Sequence, residues 1–123
     1  MFIVHCSLLK MSDQFSITVE ELGIYLADLP EGVQLIDVRE TQEVAIASLP
    51  GFTILPLSDF AQWSEDIKTR FDPKAETLVL CHHGVRSAQM CQWLLNIGFT
   101  NVKNIIGGID AYSLLVDSSV PRY

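Results

Sequence analysis

Short apolar runs rich in β-branched residues recur along the chain, and segments with a helical pattern separate them. Turn signals precede two of these runs: Gly32 stands before the first and Pro50-Gly51 before the second. Runs of this kind are typical of strands that are buried on both faces of a sheet. The pattern therefore predicts strands over residues 33–38, 52–55, 77–80 and 102–106.

Helical patterns fill the segments between these runs. Thr18 and Glu21 have the spacing of a capping box, which closes the start of a helix. Leu22 and Leu26 continue one apolar face, and this first helix is predicted to end near Pro30. Further helices are predicted over residues 41–47, from Ser58 to just before Asp72, after residue 86 up to Gly98, and from Ile109 onward.

The alternation of strands with helices indicates an α/β fold. We expect a central parallel sheet of about five strands with helices on both faces. No repeat and no shift of composition divides the chain, so a single domain is predicted over residues 16–123. Residues 1–15 are expected to form a flexible N-terminal extension, and Met11 is an alternative start. In such sheets ligands bind at the carboxyl ends of the strands.

Composition and charge narrow the class of protein. The chain has 123 residues, of which 49% are hydrophobic and 19% charged, as in ordinary globular domains. Eight basic and fifteen acidic residues give a net charge of −7, and no run of Lys or Arg is present, so no nucleic-acid partner is expected. The apolar N-terminus lacks the features of a signal peptide, and no stretch predicts a membrane span.

The cysteine content favours a reducing compartment. Cys6, Cys81 and Cys91 are too few and too scattered for a disulfide framework. We therefore expect a cytoplasmic protein, and a monomer.

The segment that follows the third predicted strand carries the candidate chemistry. It leaves a buried strand at Cys81 and enters a helix, so its backbone N–H groups can form an anion-binding nest. The helix end, the inward amides and the Arg86 guanidinium would all favour a thiolate. Gly84 supplies a position free of a Cβ, where positive φ or close approach is possible. We predict Cys81 as nucleophile, and as substrate-binding residues His82, His83, Gly84, Val85, Arg86 and Ser87.

Each of these residues also has a plainer interpretation. Cys81 could be a buried thiol at a strand end, Arg86 an exposed residue of a first helical turn, and the histidines surface groups. The combination of Cys, Gly and Arg between a strand and a helix favours the functional interpretation. The adjacent histidines could suggest zinc, but the usual Cys-x-x-Cys spacing is missing, so no metal and no other cofactor is predicted. Cys91 fits a small core residue better than a resolving thiol.

Over residues 16–123 the chain resembles the rhodanese family. Residues 35–40, Leu-Ile-Asp-Val-Arg-Glu, are similar to the first signature of that family. The Cys-x-x-Gly-x-Arg-Ser stretch at 81–87 is similar to its active-site loop, and residues 98–102 with Gly107-Gly108-Ile109 resemble its closing signature. Two departures are present: residues 47–49 read Ala-Ser-Leu where the family usually has Gly-His-Ile, and the loop has no lysine. Residues 116–123 resemble the end of rhodanese domains that are fused to sulfur-carrier-activating enzymes.

The resemblance implies a sulfurtransferase. Cys81 would take a sulfane sulfur from a donor such as thiosulfate, hold it as a persulfide, and pass it to a thiol, cyanide or a sulfur-carrier protein. Asp37 and Arg39 are expected to support the site structurally, since a carboxylate late in a buried strand needs partners. Two alternatives remain: a module that binds sulfur without turnover, and a phosphatase or arsenate reductase of related fold. The short loop from Cys81 to Arg86 favours sulfur over phosphorus.

Overall fold

The structure is a computed structural model, and it describes residues 14–123. The predicted N-terminal extension and the alternative start at Met11 fall almost entirely outside the described residues. The strands are β1 (Ser16–Ile17), β2 (Gln34–Asp37), β3 (Thr53–Ile54), β4 (Thr77–Leu80) and β5 (Val102–Ile105). The α-helices are α1 (Val19–Ala27), α2 (Thr41–Ile46), α3 (Phe60–Trp63), α4 (Ile67–Arg70), α5 (Val85–Asn96) and α6 (Gly108–Leu115).

All five strands are parallel and form one sheet in the order β1-β5-β4-β2-β3. This arrangement confirms the predicted α/β class. β4 lies at the centre, where Leu78 pairs with Leu35 of β2 and with Lys103 of β5. The carboxyl ends of β2 and β4 therefore meet at one edge of the sheet, since Asp37 is in register with Leu80.

A separate hydrophobic core lies on each face of the sheet, because successive side chains of a strand point to opposite faces. Leu35 and Leu78 belong to the core that α1 and α6 cover, with Leu22 and Ile109 as helical partners. On the other face lies a second core, which consists of Ile36, Val38, Leu55, Trp63, Ile67, Val79, Cys81, Met90, Cys91, Leu94, Phe99 and Val102. Helices thus pack on both faces, as predicted.

Two parts of the chain differ from the sequence prediction. β1 was not predicted, because a two-residue strand carries no periodic pattern; it is held at the sheet edge by β5. The helix predicted from Ser58 is broken into α3 and α4 by a 3₁₀ turn over Ser64–Asp66. Ser58 does not cap it, because its hydroxyl donates to Glu40 Oε1 instead. No helix among residues 14–123 has the length and apolar character needed to cross a membrane.

Candidate active site

Cys81 lies directly after β4, at the carboxyl edge of the sheet, with its side chain in the second core and a residue exposure of 1%. Its sulfur has two polar neighbours. The backbone N–H of Gly84 donates to Sγ at 3.0 Å, and the hydroxyl of Ser87 lies 3.2 Å from Sγ. The chain therefore brings a buried sulfur, a backbone donor and a hydroxyl together within one short loop.

Gly84 gives the loop its shape. Its φ of +99° lies in the left-handed region, and it is the N-cap of α5. A Cβ at this position would stand 3.1 Å from the backbone N of Gly107, so a side chain would be both strained and crowded. Because α5 begins at Val85, its first amides have no acceptor inside the helix. They are the donors available to an anion held at Cys81.

The start of α6 fastens the loop from the other side. Ile109 N donates to the carbonyl of Cys81 at 3.0 Å, and Asp110 N donates to the carbonyl of His82 at 3.1 Å. Gly108, with a φ of +62°, approaches these carbonyls so closely that a Cβ would stand 2.4 Å from both oxygens. In the sequence, the Gly107-Gly108 pair is evident only as part of a family signature. Its physical role is to let α6 approach the nucleophile loop.

Asn104 of β5 completes the surroundings of Ser87. The Ser87 hydroxyl, which is buried, donates to Asn104 Oδ1, and Asn104 Nδ2 donates to the carbonyl of Gly84 at 3.1 Å. Sequence reasoning predicted Ser87 but missed Asn104. The sequence indicated the role of Asn104 only in that a polar side chain lies inside the strand predicted over 102–106.

Arg86 contacts Glu43 rather than the sulfur. Its Nη1 and Nη2 donate to the two carboxylate oxygens of Glu43 at 2.7 and 2.8 Å, a bidentate pair that joins α5 to α2. The guanidinium holds the pKa of Glu43 at about 2, against the burial that would raise it. Arg86 was predicted to favour a thiolate and to bind substrate, and in the structure the Glu43 carboxylate balances its charge. Glu43 was not predicted as a site residue.

Tyr123 lies over the loop and links it to two charged pairs. Its ring stacks on His82 with centroids 3.8 Å apart and an angle of 8° between the planes. Its hydroxyl donates to Glu43 Oε1 at 3.0 Å and accepts from Arg39 Nη1 at 3.0 Å. Burial, and next the neighbouring His83, lower the pKa of His82, which favours the neutral imidazole. No periodic pattern in the sequence predicts these contacts of Tyr123.

The remaining two predicted loop residues lie at the rim. The His83 side chain is 61% exposed, with its Nδ1 3.9 Å from Asp110 Oδ2. Val85 is 67% exposed. Neither side chain contacts the sulfur, so any part that these residues play in binding a donor comes through the backbone or at the mouth of the site.

Asp37 and Arg39 form a fully buried ion pair beside the site. Arg39 Nη2 lies 2.8 Å from Asp37 Oδ2 and also donates to the carbonyl of Ala47 at 2.8 Å. Burial lowers the pKa of Arg39, but hydrogen bonds to Asp37 and Tyr123 outweigh it and raise the pKa above its ordinary value. This geometry agrees with the structural role that was expected of both residues.

The described residues hold no metal-binding cluster: within 14–123, no three His, Cys, Asp or Glu side chains are grouped so that they could hold an ion. Cys91, on α5, is packed in the second core. Cys81 and Cys91 are both free thiols.

A protein-family model and several known proteins are similar to this chain. The model of the Rhodanese-like domain matches residues 18–115. The chain is 50% identical over 109 residues to Rhodanese-like/PpiC domain-containing protein 12, chloroplastic, of Arabidopsis thaliana, covering 87% of this chain and 36% of that protein. It is 34% identical over 87 residues to Thiosulfate sulfurtransferase GlpE of Pseudomonas entomophila, covering 71% of this chain and 76% of that protein.

A further relative and a solved structure are also similar to the chain. The chain is 30% identical over 119 residues to Adenylyltransferase and sulfurtransferase UBA4 of Debaryomyces hansenii, covering 92% of this chain and 27% of that protein. It thus spans about a third of the Arabidopsis relative and about a quarter of the yeast one. A crystal structure of a rhodanese-like domain protein from Staphylococcus aureus is similar with a TM-score of 0.70 and 28% identity, covering 89% of this chain and 98% of that one. The chain belongs to the rhodanese-like domain family, in which several of its relatives are named sulfurtransferases.

Proposed function

We propose that the protein is a sulfurtransferase that carries a sulfane sulfur as a persulfide on Cys81. The observation that carries the proposal is the environment of Sγ: a Gly84 N–H at 3.0 Å and the Ser87 hydroxyl at 3.2 Å, at the start of α5. These donors and the free amides of the helix start can donate hydrogen bonds to an anionic sulfur. The same donors suit a thiolate and the persulfide anion made from it.

The reaction has two displacement steps at divalent sulfur. The Cys81 thiolate attacks the outer sulfur of a donor molecule, and a new S–S bond forms. The bond that joined this sulfur to the rest of the donor breaks, and its electron pair leaves with the rest of the donor. With thiosulfate the leaving group is sulfite. In the second step a thiolate or cyanide attacks the outer sulfur of the persulfide, and Cys81 leaves as the thiolate, ready for another cycle.

Ser87 has two possible acceptors for its hydroxyl proton. It donates to Asn104 Oδ1 in the structure, and Sγ of Cys81 lies 3.2 Å away. When Cys81 is ionised, the hydroxyl rotates so that its O–H donates a hydrogen bond to the thiolate, because a charged acceptor makes the stronger hydrogen bond. Asn104, which also donates to the Gly84 carbonyl, is the acceptor of the Ser87 hydroxyl in the structure.

Relatives named sulfurtransferase support this chemistry for the family. A thiol, cyanide or a sulfur-carrier protein is proposed as the acceptor. A cytoplasmic location and a monomeric state stay predictions.

Parallel activity assays test the proposal. Wild-type protein is expected to move sulfur from thiosulfate or a persulfide to cyanide or a thiol and to show negligible hydrolysis of an aryl phosphate. A phosphoryl group needs fixed charge for its oxygens, whereas Arg86 is occupied by Glu43. Cys81→Ser should abolish sulfur transfer, with an unchanged far-UV circular dichroism spectrum as the control for folding.

Three results would contradict the proposal. Sulfur transfer retained by Cys81→Ser would remove Cys81 as the nucleophile. Efficient phosphatase activity that depends on Cys81 would replace the reaction class. A persulfide that forms on Cys81 but passes to no acceptor would indicate a binding module without turnover.

A further inference from the structure

Among residues 14–123, three arginine side chains around the nucleophile loop are paired with carboxylates. Arg86 binds Glu43 at 2.7 Å, Arg39 binds Asp37 at 2.8 Å, and Arg122 binds Asp110 at 3.0 Å. The loop itself contains no lysine. Each pair brings one positive and one negative charge, so these pairs give the site no net positive charge for a second anionic group.

The Arg86–Glu43 pair is the one that involves the loop directly, and its geometry is fixed from several sides. Both oxygens of Glu43 accept from Arg86, the Tyr123 hydroxyl donates to one of them, and the backbone N–H of Glu40 donates to the other. Arg86 therefore cannot swing toward a ligand without breaking a bidentate pair and leaving Glu43 without its main partner.

The mouth of the loop is also poor in positive charge. Val85, 67% exposed, presents an apolar side chain. His82 is partly buried, with its ring stacked on Tyr123 and tilted against His83, and this partial burial lowers its pKa. Such a rim can contact the uncharged body of a donor. It offers little to a compact sulfonate group.

A site of this kind distinguishes sulfur donors by their negative charge. Thiosulfate carries two negative charges, and only the one at the reacting sulfur can use the donors around Cys81. We propose that Glu43 is a specificity-determining residue, and that the natural donor is the persulfide of a thiol, R–S–SH, rather than a dianion such as thiosulfate. This inference rests on the proposed function of Cys81.

The donor step balances without a further reactant. The Cys81 thiolate attacks the outer sulfur of R–S–SH, a bond forms between Sγ and that sulfur, and the S–S bond of the donor breaks. The electron pair leaves on R–S⁻, and Cys81 holds –S–SH, which the loop donors favour in its deprotonated form.

Two small donors of similar shape isolate the effect of charge. Thiosulfate is a dianion, whereas methanethiosulfonate has a methyl group in place of one charged oxygen and is a monoanion; attack on its outer sulfur releases methanesulfinate. For wild-type protein we expect kcat/KM to be at least about tenfold higher with methanethiosulfonate, after correction for the rates of the two donors with a free thiol.

Glu43→Gln tests the residue itself. The amide keeps a hydrogen-bond acceptor for Arg86 but removes the charge, so Arg86 becomes a free cation beside the loop. We expect kcat/KM for thiosulfate to rise about fivefold to tenfold and that for methanethiosulfonate to change less than about threefold. Glu40→Gln is the matched control, since it removes one charge at the start of α2 and keeps the Glu40 backbone N–H that donates to Glu43.

The outcomes separate this inference from the proposed function. Transfer from both donors with equal efficiency in wild type, or an unchanged donor ratio in folded Glu43→Gln, would overturn the role of Glu43 while leaving Cys81 as the nucleophile. An equal shift in Glu40→Gln would also overturn it, because general surface charge would then explain the ratio. Absence of Cys81-dependent transfer from every donor, a cysteine persulfide included, would instead contradict the proposed function. The wild-type donor ratio needs no variant and stays informative if Glu43→Gln does not fold.

Discussion

Cys81 and Cys91 lie in the same core and differ in what surrounds the sulfur. Both are buried, with exposures of 1% and 5%. The Cys81 sulfur accepts from the Gly84 N–H and lies beside the Ser87 hydroxyl. Cys91 is packed among apolar side chains, and burial, together with the nearby charge of Cys81, raises its pKa to about 12. Burial alone therefore does not distinguish a reactive thiol from an inert one.

The difference arises from the backbone. Inside a helix each N–H is already bonded to the carbonyl four residues earlier, so the middle of α5, where Cys91 lies, has no spare donors. At the junction of β4 and α5 the chain turns through Gly84, and the first amides of the helix are free. A cysteine at that junction is surrounded by donors that a helical cysteine lacks.

The largest expected effect is the contrast between serine substitutions at the two cysteines. Cys81→Ser should reduce sulfur transfer by at least about a thousandfold, because an alkoxide is not available to take up sulfur at neutral pH. Cys91→Ser should keep activity within about twofold of wild type, since its side chain lies in the second core and is not one of the donors to the Cys81 sulfur. Steady-state assays on both variants check this; loss of transfer in folded Cys91→Ser would assign Cys91 a resolving role.

Gly108→Ala should have the next largest effect, because it disrupts the contact between α6 and the Cys81 loop. A Cβ would stand 2.4 Å from the carbonyl oxygens of Cys81 and His82. We expect a loss of about 3 kcal/mol in the free energy of unfolding, measured by urea denaturation. Gly32→Ala is the control, because its φ is also positive, at +83°, yet nothing lies within 4 Å of its Cβ. Equal losses in the two variants would show that backbone strain, and not the contact with the loop, causes the effect.

Much of this architecture could be predicted from sequence, because strands, helices and the position of Cys81 depend on residues close together in the chain. The contacts that complete the site are long-range. Arg86 and Glu43 are 43 positions apart, and Tyr123 lies 80 positions from Glu43. Only the register of β2 against β4, and the position of Tyr123 over the loop, bring these residues together. The short β1 and the 3₁₀ turn before α4 were missed for the opposite reason, since neither produces a periodic pattern.

A smaller effect is expected at Ser87, the polar neighbour that Cys91 lacks. Ser87→Ala removes a hydroxyl 3.2 Å from Sγ, and we expect kcat/KM to fall about tenfold, the value of one hydrogen bond to a charged sulfur. Ser87→Cys, of similar size but a weaker donor, should recover little of it. Full activity in Ser87→Ala would show that the backbone donors suffice.

The last difference between the two cysteines concerns stability rather than activity, in the core around Cys91 at alkaline pH. Its pKa rises from 9.0 to about 12 on folding, so the stability that its neutral thiol provides is fully present below pH 9 and is lost as pH rises toward about 12. Unfolding of wild type and Cys91→Ala at pH 8 and pH 11 should show a larger loss in wild type. Parallel losses would mean that Cys91 ionises as easily in the folded protein as in the unfolded chain.

Intact-mass spectrometry after brief treatment with sodium methanethiosulfonate, followed by removal of the donor, tests the central claim most directly. Wild type and Cys91→Ser are expected to gain the mass of one sulfur atom, which cyanide then removes, and Cys81→Ser is expected to gain none. Peptide mapping should place the added sulfur on Cys81. A sulfur atom retained by Cys81→Ser, or mapped to Cys91 in wild type, would contradict the account.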